Sequence, residues 1–178
     1  LTNHLNNNML KVPSKIGLPV TVTSGMDSLE KCLNKDHFLN YKNKITYCYN
    51  SRGYRDSEWP DELNNVIWCI GDSFTVGLGQ PFSETWTQIL ESKTGIRCLN
   101  LGEDGCSNDT IAMRVQNIDK LYQPNIMIIM WSYLSRRRKN GKNVQYDSES
   151  FGSNNDFENF RSNYQKVNTN RSVKVLNY

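Results

Sequence analysis

An apolar run, Val66-Ile67-Trp68-Cys69-Ile70, stops at Gly71 and delivers Asp72 and Ser73. Near-unbroken hydrophobicity before a glycine reads as a strand buried on both faces, the kind a parallel sheet contains. A serine just past such a strand is held at the carboxyl edge of the sheet, where open α/β sheets bind ligands. The chemistry available there is acyl transfer. A serine hydroxyl is a weak nucleophile at neutral pH and needs a base to take its proton, while the oxyanion formed on attack needs preorganised donors. The plainer reading is that Ser73 caps a helix or turn and that Asp72 forms an Asx turn. Bases are scarce, since His4 and His37 are the only histidines and both precede Ser73. No metal or organic cofactor is implied: Cys32, Cys48, Cys69, Cys98 and Cys106 form no Cys-x-x-Cys pair, and no glycine loop has phosphate-cradling spacing.

The elements that must position Ser73 follow from the pattern of the rest of the chain. Its 178 residues suffice for one domain with a sizeable core. Hydrophobic residues at 37% and charged residues at 22% fit a water-soluble globular chain, and a formal charge of +3 gives no case for nucleic acid or a membrane surface as partner. The longest apolar stretch, Ile126 to Trp131, is strand-sized. Cysteine usage makes a reducing, cytoplasmic compartment the default, with secretion left open because the sequence does not begin with methionine.

Residues 1 to about 60 read as an irregular N-terminal extension that packs on the domain, with a short strand at Lys44 to Tyr49 and a turn at Gly53. From residue 61 strands and helices alternate. Val66 to Ile70 is followed by a helix capped by Ser83 and stopped by Gly95, then by a strand at Ile96 to Leu101. Ser107 or Asn108 caps a helix whose Ile111, Val115, Ile118 and Tyr122 form one stripe, and Pro124 precedes a strand at Ile126 to Trp131. A long polar connection, Ser132 to Asn155, leads to a helix from Asp156 to Val167 with Phe157, Phe160, Tyr164 and Val167 on one face, and Ser172 to Leu176 reads as a further strand. This alternation predicts an α/β fold with a parallel sheet between helical layers and right-handed crossovers.

With Gly71-Asp72-Ser73-Phe74 after a buried strand, the sequence resembles the SGNH or GDSL family of serine hydrolases. Other pieces agree in order: Thr75-Val76-Gly77-Leu78-Gly79 after the nucleophile, Trp86 with Leu90 in the first helix, Asn100-Leu101-Gly102-Glu103-Asp104-Gly105 as the second block, Pro124 to Met130 before the third, and Asn50 to Arg55 upstream. The resemblance covers roughly residues 49 to 134. It implies a flavodoxin-like three-layer α/β/α fold and Ser73 as the nucleophile of an esterase. It also implies an oxyanion hole from the backbone N–H groups of Ser73 and Gly105, with Cys106 beside it and with Asp72 and Asn100 in support. The implied substrate is a small-molecule or carbohydrate ester, an O-acyl group on a sugar being one instance.

Two departures stand against the pattern. Leu134 falls where the family's third block has an oxyanion asparagine, which leaves Ser132 as a substitute donor; loss of one donor slows such reactions by roughly 100- to 1,000-fold. The family's Asp-x-x-His block is absent after Ser73. The expectation is a chain that lacks its last strand and helix together with the base, its open sheet edge favouring a homo-oligomer. The alternative is a catalytically silent binding or structural domain of the same fold. Arg136-Arg137-Arg138-Lys139 is expected to be a solvated basic loop near the mouth of the site, Phe157 and Phe160 to be core, and Arg52 and Arg55 either to reach the cleft or to tie the upstream turn to the domain.

Overall fold

The computed structural model describes residues 10–12, 21–23, 45–145 and 154–167. Strands β1 (Thr21–Thr23) and β2 (Ile45–Tyr47) pair antiparallel ahead of the main sheet, with Thr21 opposite Tyr47. Then come β3 (Val66–Gly71), the short helix α1 (Ser73–Val76), a 3-10 turn (Phe82–Glu84), α2 (Trp86–Thr94), β4 (Arg97–Gly102), α3 (Asn108–Tyr122) and β5 (Ile126–Ile129). A hairpin, β6 (Arg136–Lys139) and β7 (Lys142–Gln145), and helix α4 (Asn154–Val167) complete the described elements.

The main sheet has the order β4-β3-β5 with both pairings parallel. Every residue of β3 is buried, as its unbroken apolar run requires of a central strand. Alternation sorts its side chains to two faces. Val66, Trp68 and Ile70 join Leu99, Leu101, Met127 and Ile129 under the α3 stripe of Ile111, Val115 and Ile118. Ile67 and Cys69 join Cys98 beneath Trp86 and Leu90 of α2. The predicted α/β/α layering is therefore present, and the chain crosses from one side of β3 to the other between β4 and β5. That reversal places a topological switch point at the carboxyl end of β3.

Helix α2 begins later than Ser83. Ser83 is exposed, whereas the Thr85 hydroxyl is buried, donates to the Phe82 carbonyl at 2.8 Å and accepts from the Gln88 amide, so Thr85 is the cap. Ser107 caps α3 as expected, its Oγ accepting from Thr110 N, and α3 ends where Gln123 turns left-handed (φ 47°) ahead of Pro124.

The polar connection after β5 is not an irregular loop: residues 136–145 form the β6–β7 hairpin around Asn140-Gly141, both at positive φ (49° and 77°). The basic run is likewise not a free solvated loop. Arg136 pairs with Asp72 and Arg137 with Asp156 of α4. Phe160 and Tyr164 pack on Trp131, but Phe157 is 54% exposed and does not belong to the core. The candidate strand at 172–176 lies outside the described residues.

The N-terminal segment enters the core rather than only covering it. Leu10, Val12 and Tyr54 are buried in the same cluster as Trp68, and Val12 N donates to Arg52 O at 2.8 Å. Gly53 sits at φ 83° where a Cβ would run into the Val12 carbonyl, so this turn accepts only glycine.

Candidate active site

Ser73 stands at the switch point, separated from the last residue of β3 by the cap residue Asp72 and at the first position of α1. The turn that presents it is held from three directions. Asp72 caps α1 by accepting from Phe74 N through Oδ1 at 3.1 Å. Its other oxygen accepts from Ser132 Oγ at 2.7 Å and from Arg136 Nη1 at 3.1 Å. Arg136 Nη1 also donates to Ser132 Oγ at 3.1 Å, which fixes the Ser132 proton on Asp72. A carboxylate 1% exposed is thus matched by three donors, one of them a guanidinium, the condition for burying its charge.

From below, Asn100 Nδ2 donates to the Thr75 carbonyl at 2.7 Å while its Oδ1 accepts from Gly102 N at 2.9 Å. From the side, buried Arg55 donates to the carbonyls of Val76, Gly77, Thr46 and Gln80, with its guanidinium 4.1 Å from the Tyr47 ring centroid. Arg55 therefore ties the upstream turn to the loop after Ser73. Arg52 lies over Trp59 at 4.4 Å.

The second block runs alongside. Glu103 N donates to Gly71 O at 3.1 Å and Cys106 N to Glu103 O at 3.1 Å, so the loop after β4 bends around the end of β3. Gly105 lies in that bend at φ 69° with no heavy atom within 4 Å of where a Cβ would stand, leaving open space beside its backbone. No described residue accepts a hydrogen bond from the Ser73 or Gly105 amide, and Ser73 N is one of the helix-start donors that an α-helix leaves unused. Buried Arg114 pairs with Glu103 and holds this loop from α3. Cys106 is fully buried beside it; burial pushes its thiol up to about 12, as befits a packing residue rather than a reactive thiol.

Ser73, Asp72, Asn100 and Gly105 are thus brought to one end of the sheet. Ser132 is also there but is committed elsewhere: its hydroxyl proton lies on Asp72 and its amide donates to Asn108 Oδ1 at 2.8 Å, leaving neither for an oxyanion. Neither histidine falls within the described residues. Among the described residues, no group of three or more His, Cys, Asp or Glu side chains is placed to hold a metal, and no helix is long and apolar enough to cross a membrane.

Several supporting residues carried no sequence signal for this role. Asn108 was legible only as a helix cap, yet it is fully buried and its amide group pins the Ser132-Tyr133 backbone. Arg136 was one of four consecutive cations, and Asn143 one polar residue of a polar segment.

No family model and no curated protein matches the sequence. Among solved structures, the chain is similar to the SGNH-hydrolase family esterase AlinE4, at 19% identity and a TM-score of 0.43 over 66% of this chain and 60% of that one. It is also similar to a member of the lipolytic protein G-D-S-L family from Veillonella parvula DSM 2008, at 22% identity and a TM-score of 0.43 over 61% of this chain and 56% of that one. The chain therefore spans about 60% of the length of the AlinE4 esterase.

Proposed function

We propose that this protein is a serine esterase of the SGNH/GDSL type. Ser73 Oγ attacks the carbonyl carbon of an ester, the hydroxyl proton passes to a base, the alcohol leaves, and water then hydrolyses the acyl-enzyme. The single observation that carries the reading is the pair of amides, Ser73 and Gly105, from which no described residue accepts, at the switch point where the nucleophile turn is over-determined by Asp72, Asn100 and Arg55. Backbone donors fixed in advance are what the oxyanion of a tetrahedral intermediate requires. An O-acyl group on a carbohydrate is the proposed substrate class, by family analogy. Self-association through β5, whose Ile126 is 41% exposed and which pairs only with β3 among the described strands, belongs to the same proposal.

The second reading, a catalytically silent domain on this scaffold, is favoured by Leu134 at the family's asparagine position and by the engagement of Ser132. Hydrolysis of short-chain p-nitrophenyl esters separates the two. The esterase reading expects turnover that Ser73→Ala abolishes; turnover equal in both proteins, or in neither, favours the silent domain. His37→Ala in the same assay asks whether the base comes from the N-terminal region, and loss of turnover in that variant assigns it there.

A further inference from the structure

The β6–β7 hairpin reaches both halves of the site. From β6, Arg136 bonds Asp72 and Ser132, and the guanidinium lies 5.0 Å from the Tyr133 ring centroid while Nε donates to Gln145 Oε1 of β7 at 3.3 Å. From β7, Asn143 Oδ1 accepts from Ser107 Oγ at 2.8 Å and from Thr110 Oγ1 at 2.6 Å, and its Nδ2 donates to Glu103 Oε1 at 3.4 Å. Ser107 and Thr110 form the start of α3, and Glu103 lies in the loop of Gly105. The hairpin is itself fastened elsewhere, by Arg137 to Asp156 of α4 and by Arg138 N to Asp109 Oδ2 of α3 at 2.7 Å.

We infer that this hairpin is a positioning clasp for the candidate active site: Arg136, acting through Asp72, sets the nucleophile turn, and Asn143, acting through Ser107, Thr110 and Glu103, sets the loop that carries Gly105. The inference rests on the esterase reading of that site. Its physical basis is that Ser73 and Gly105 follow different strands, β3 and β4, so their relative placement depends on whatever joins the two loops. Antiparallel β6 and β7 do so in a register that places Arg138 opposite Asn143, two residues along from Arg136. Arginine suits the first contact because one guanidinium meets a carboxylate, a hydroxyl, an amide oxygen and a ring at once, whereas a lysine ammonium supplies charge without the planar fork. Neither Arg136 nor Asn143 is assigned any contact with substrate, so both are positioning residues.

The test compares the full chain with Arg136→Met, Arg136→Lys, Asn143→Ala and, as a control on the same hairpin, Lys139→Met. Three quantities are read: kcat and KM for p-nitrophenyl acetate, and the rate at which a fluorophosphonate adds to Ser73 by intact mass. A displacement of about 1 Å in such a site costs roughly 100-fold in rate. The expectation is a kcat for Arg136→Met lowered by about 10- to 100-fold with KM within about threefold, partial recovery in Arg136→Lys, and a kcat for Asn143→Ala lowered about tenfold. Phosphonate addition slows in parallel, and Lys139→Met behaves as wild type. Wild-type kcat and labelling in Asn143→Ala overturn the clasp even where Arg136→Met fails to fold, because Asn143 carries no charge whose loss unfolds the chain. Losses in Arg136→Met that only track its folded fraction by circular dichroism, with Asn143→Ala unaffected, overturn it as well. A wild-type chain inert to both ester and phosphonate overturns the esterase reading itself and the clasp with it, an outcome distinct from an active wild type beside unaffected variants.

Discussion

The side chain of Asn100 donates to the backbone carbonyl of Thr75 at 2.7 Å, which joins strand β4 to the turn that presents Ser73. Its oxygen simultaneously accepts from Gly102 N, and the residue is fully buried. Asn100→Leu keeps the volume but strands a buried carbonyl and a buried amide, each costing about 1–3 kcal/mol. Urea denaturation is expected to show a loss of at least about 2 kcal/mol, together with reduced esterase turnover. A variant as stable as wild type would remove Asn100 from the support of the site.

Gly102 allows β4 to approach α1 more closely than any other residue would. A Cβ there would lie on the backbone of Thr75 and Val76, 2.7 Å from the Thr75 carbonyl carbon. Gly102→Ala must push α1 and with it Ser73 away, so on the proposed esterase reading kcat is expected to fall by about 10- to 100-fold with little change in the far-ultraviolet spectrum. Gly95→Ala is the comparison: its φ of 67° is strained but its surroundings are empty, so it is expected to cost about 1 kcal/mol of stability and leave kcat unchanged. Equal effects of the two substitutions on kcat would contradict the close-approach account.

Asp56 links the upstream segment to β4, accepting from Arg97 at 2.7 Å and from Asn100 N at 3.0 Å. Desolvation by burial raises its carboxyl to about 6 against the pull of Arg97 and the backbone donors. A folded-state value above the ordinary 3.8 means the folded chain holds this proton longer. The contribution to stability is therefore fullest below about pH 4, declines as pH rises to about 6, and is flat above. Denaturation midpoints of wild type and Asp56→Asn from pH 4 to 7 isolate the effect. The wild type is expected to lose ground to the variant as pH rises through this window, and the opposite slope would contradict the assignment.

Much of the sheet could be read in advance because its strands are apolar runs of the right length and its helices carry local stop signals such as Gly95 and Pro124. Ser73 and Gly105 stood out for the same reason: each lies in a short contiguous pattern. The hairpin did not, because Arg136-Arg137-Arg138-Lys139 and Lys142-Asn143-Val144-Gln145 have no hydrophobic alternation, and the anchoring of Arg136 and Arg137 comes from ion pairs with Asp72 and Asp156 rather than from an apolar face. The surroundings of Ser132 were not legible for a related reason. Its position near the site follows from the strand, but what its hydroxyl faces depends on Asp72, sixty residues earlier in the chain. The start of α2 was displaced because Ser83 and Thr85 are equivalent as cap types, and only the burial of Thr85 decides between them.

On the proposed esterase reading, Ser73 is an activated nucleophile. The most direct measurement is incubation of the wild-type chain and Ser73→Ala with a fluorophosphonate, followed by intact mass and peptide mapping. The account predicts one adduct per chain, on the peptide carrying Ser73, and none in Ser73→Ala. An unmodified wild-type chain, or an adduct that persists in Ser73→Ala, would contradict it.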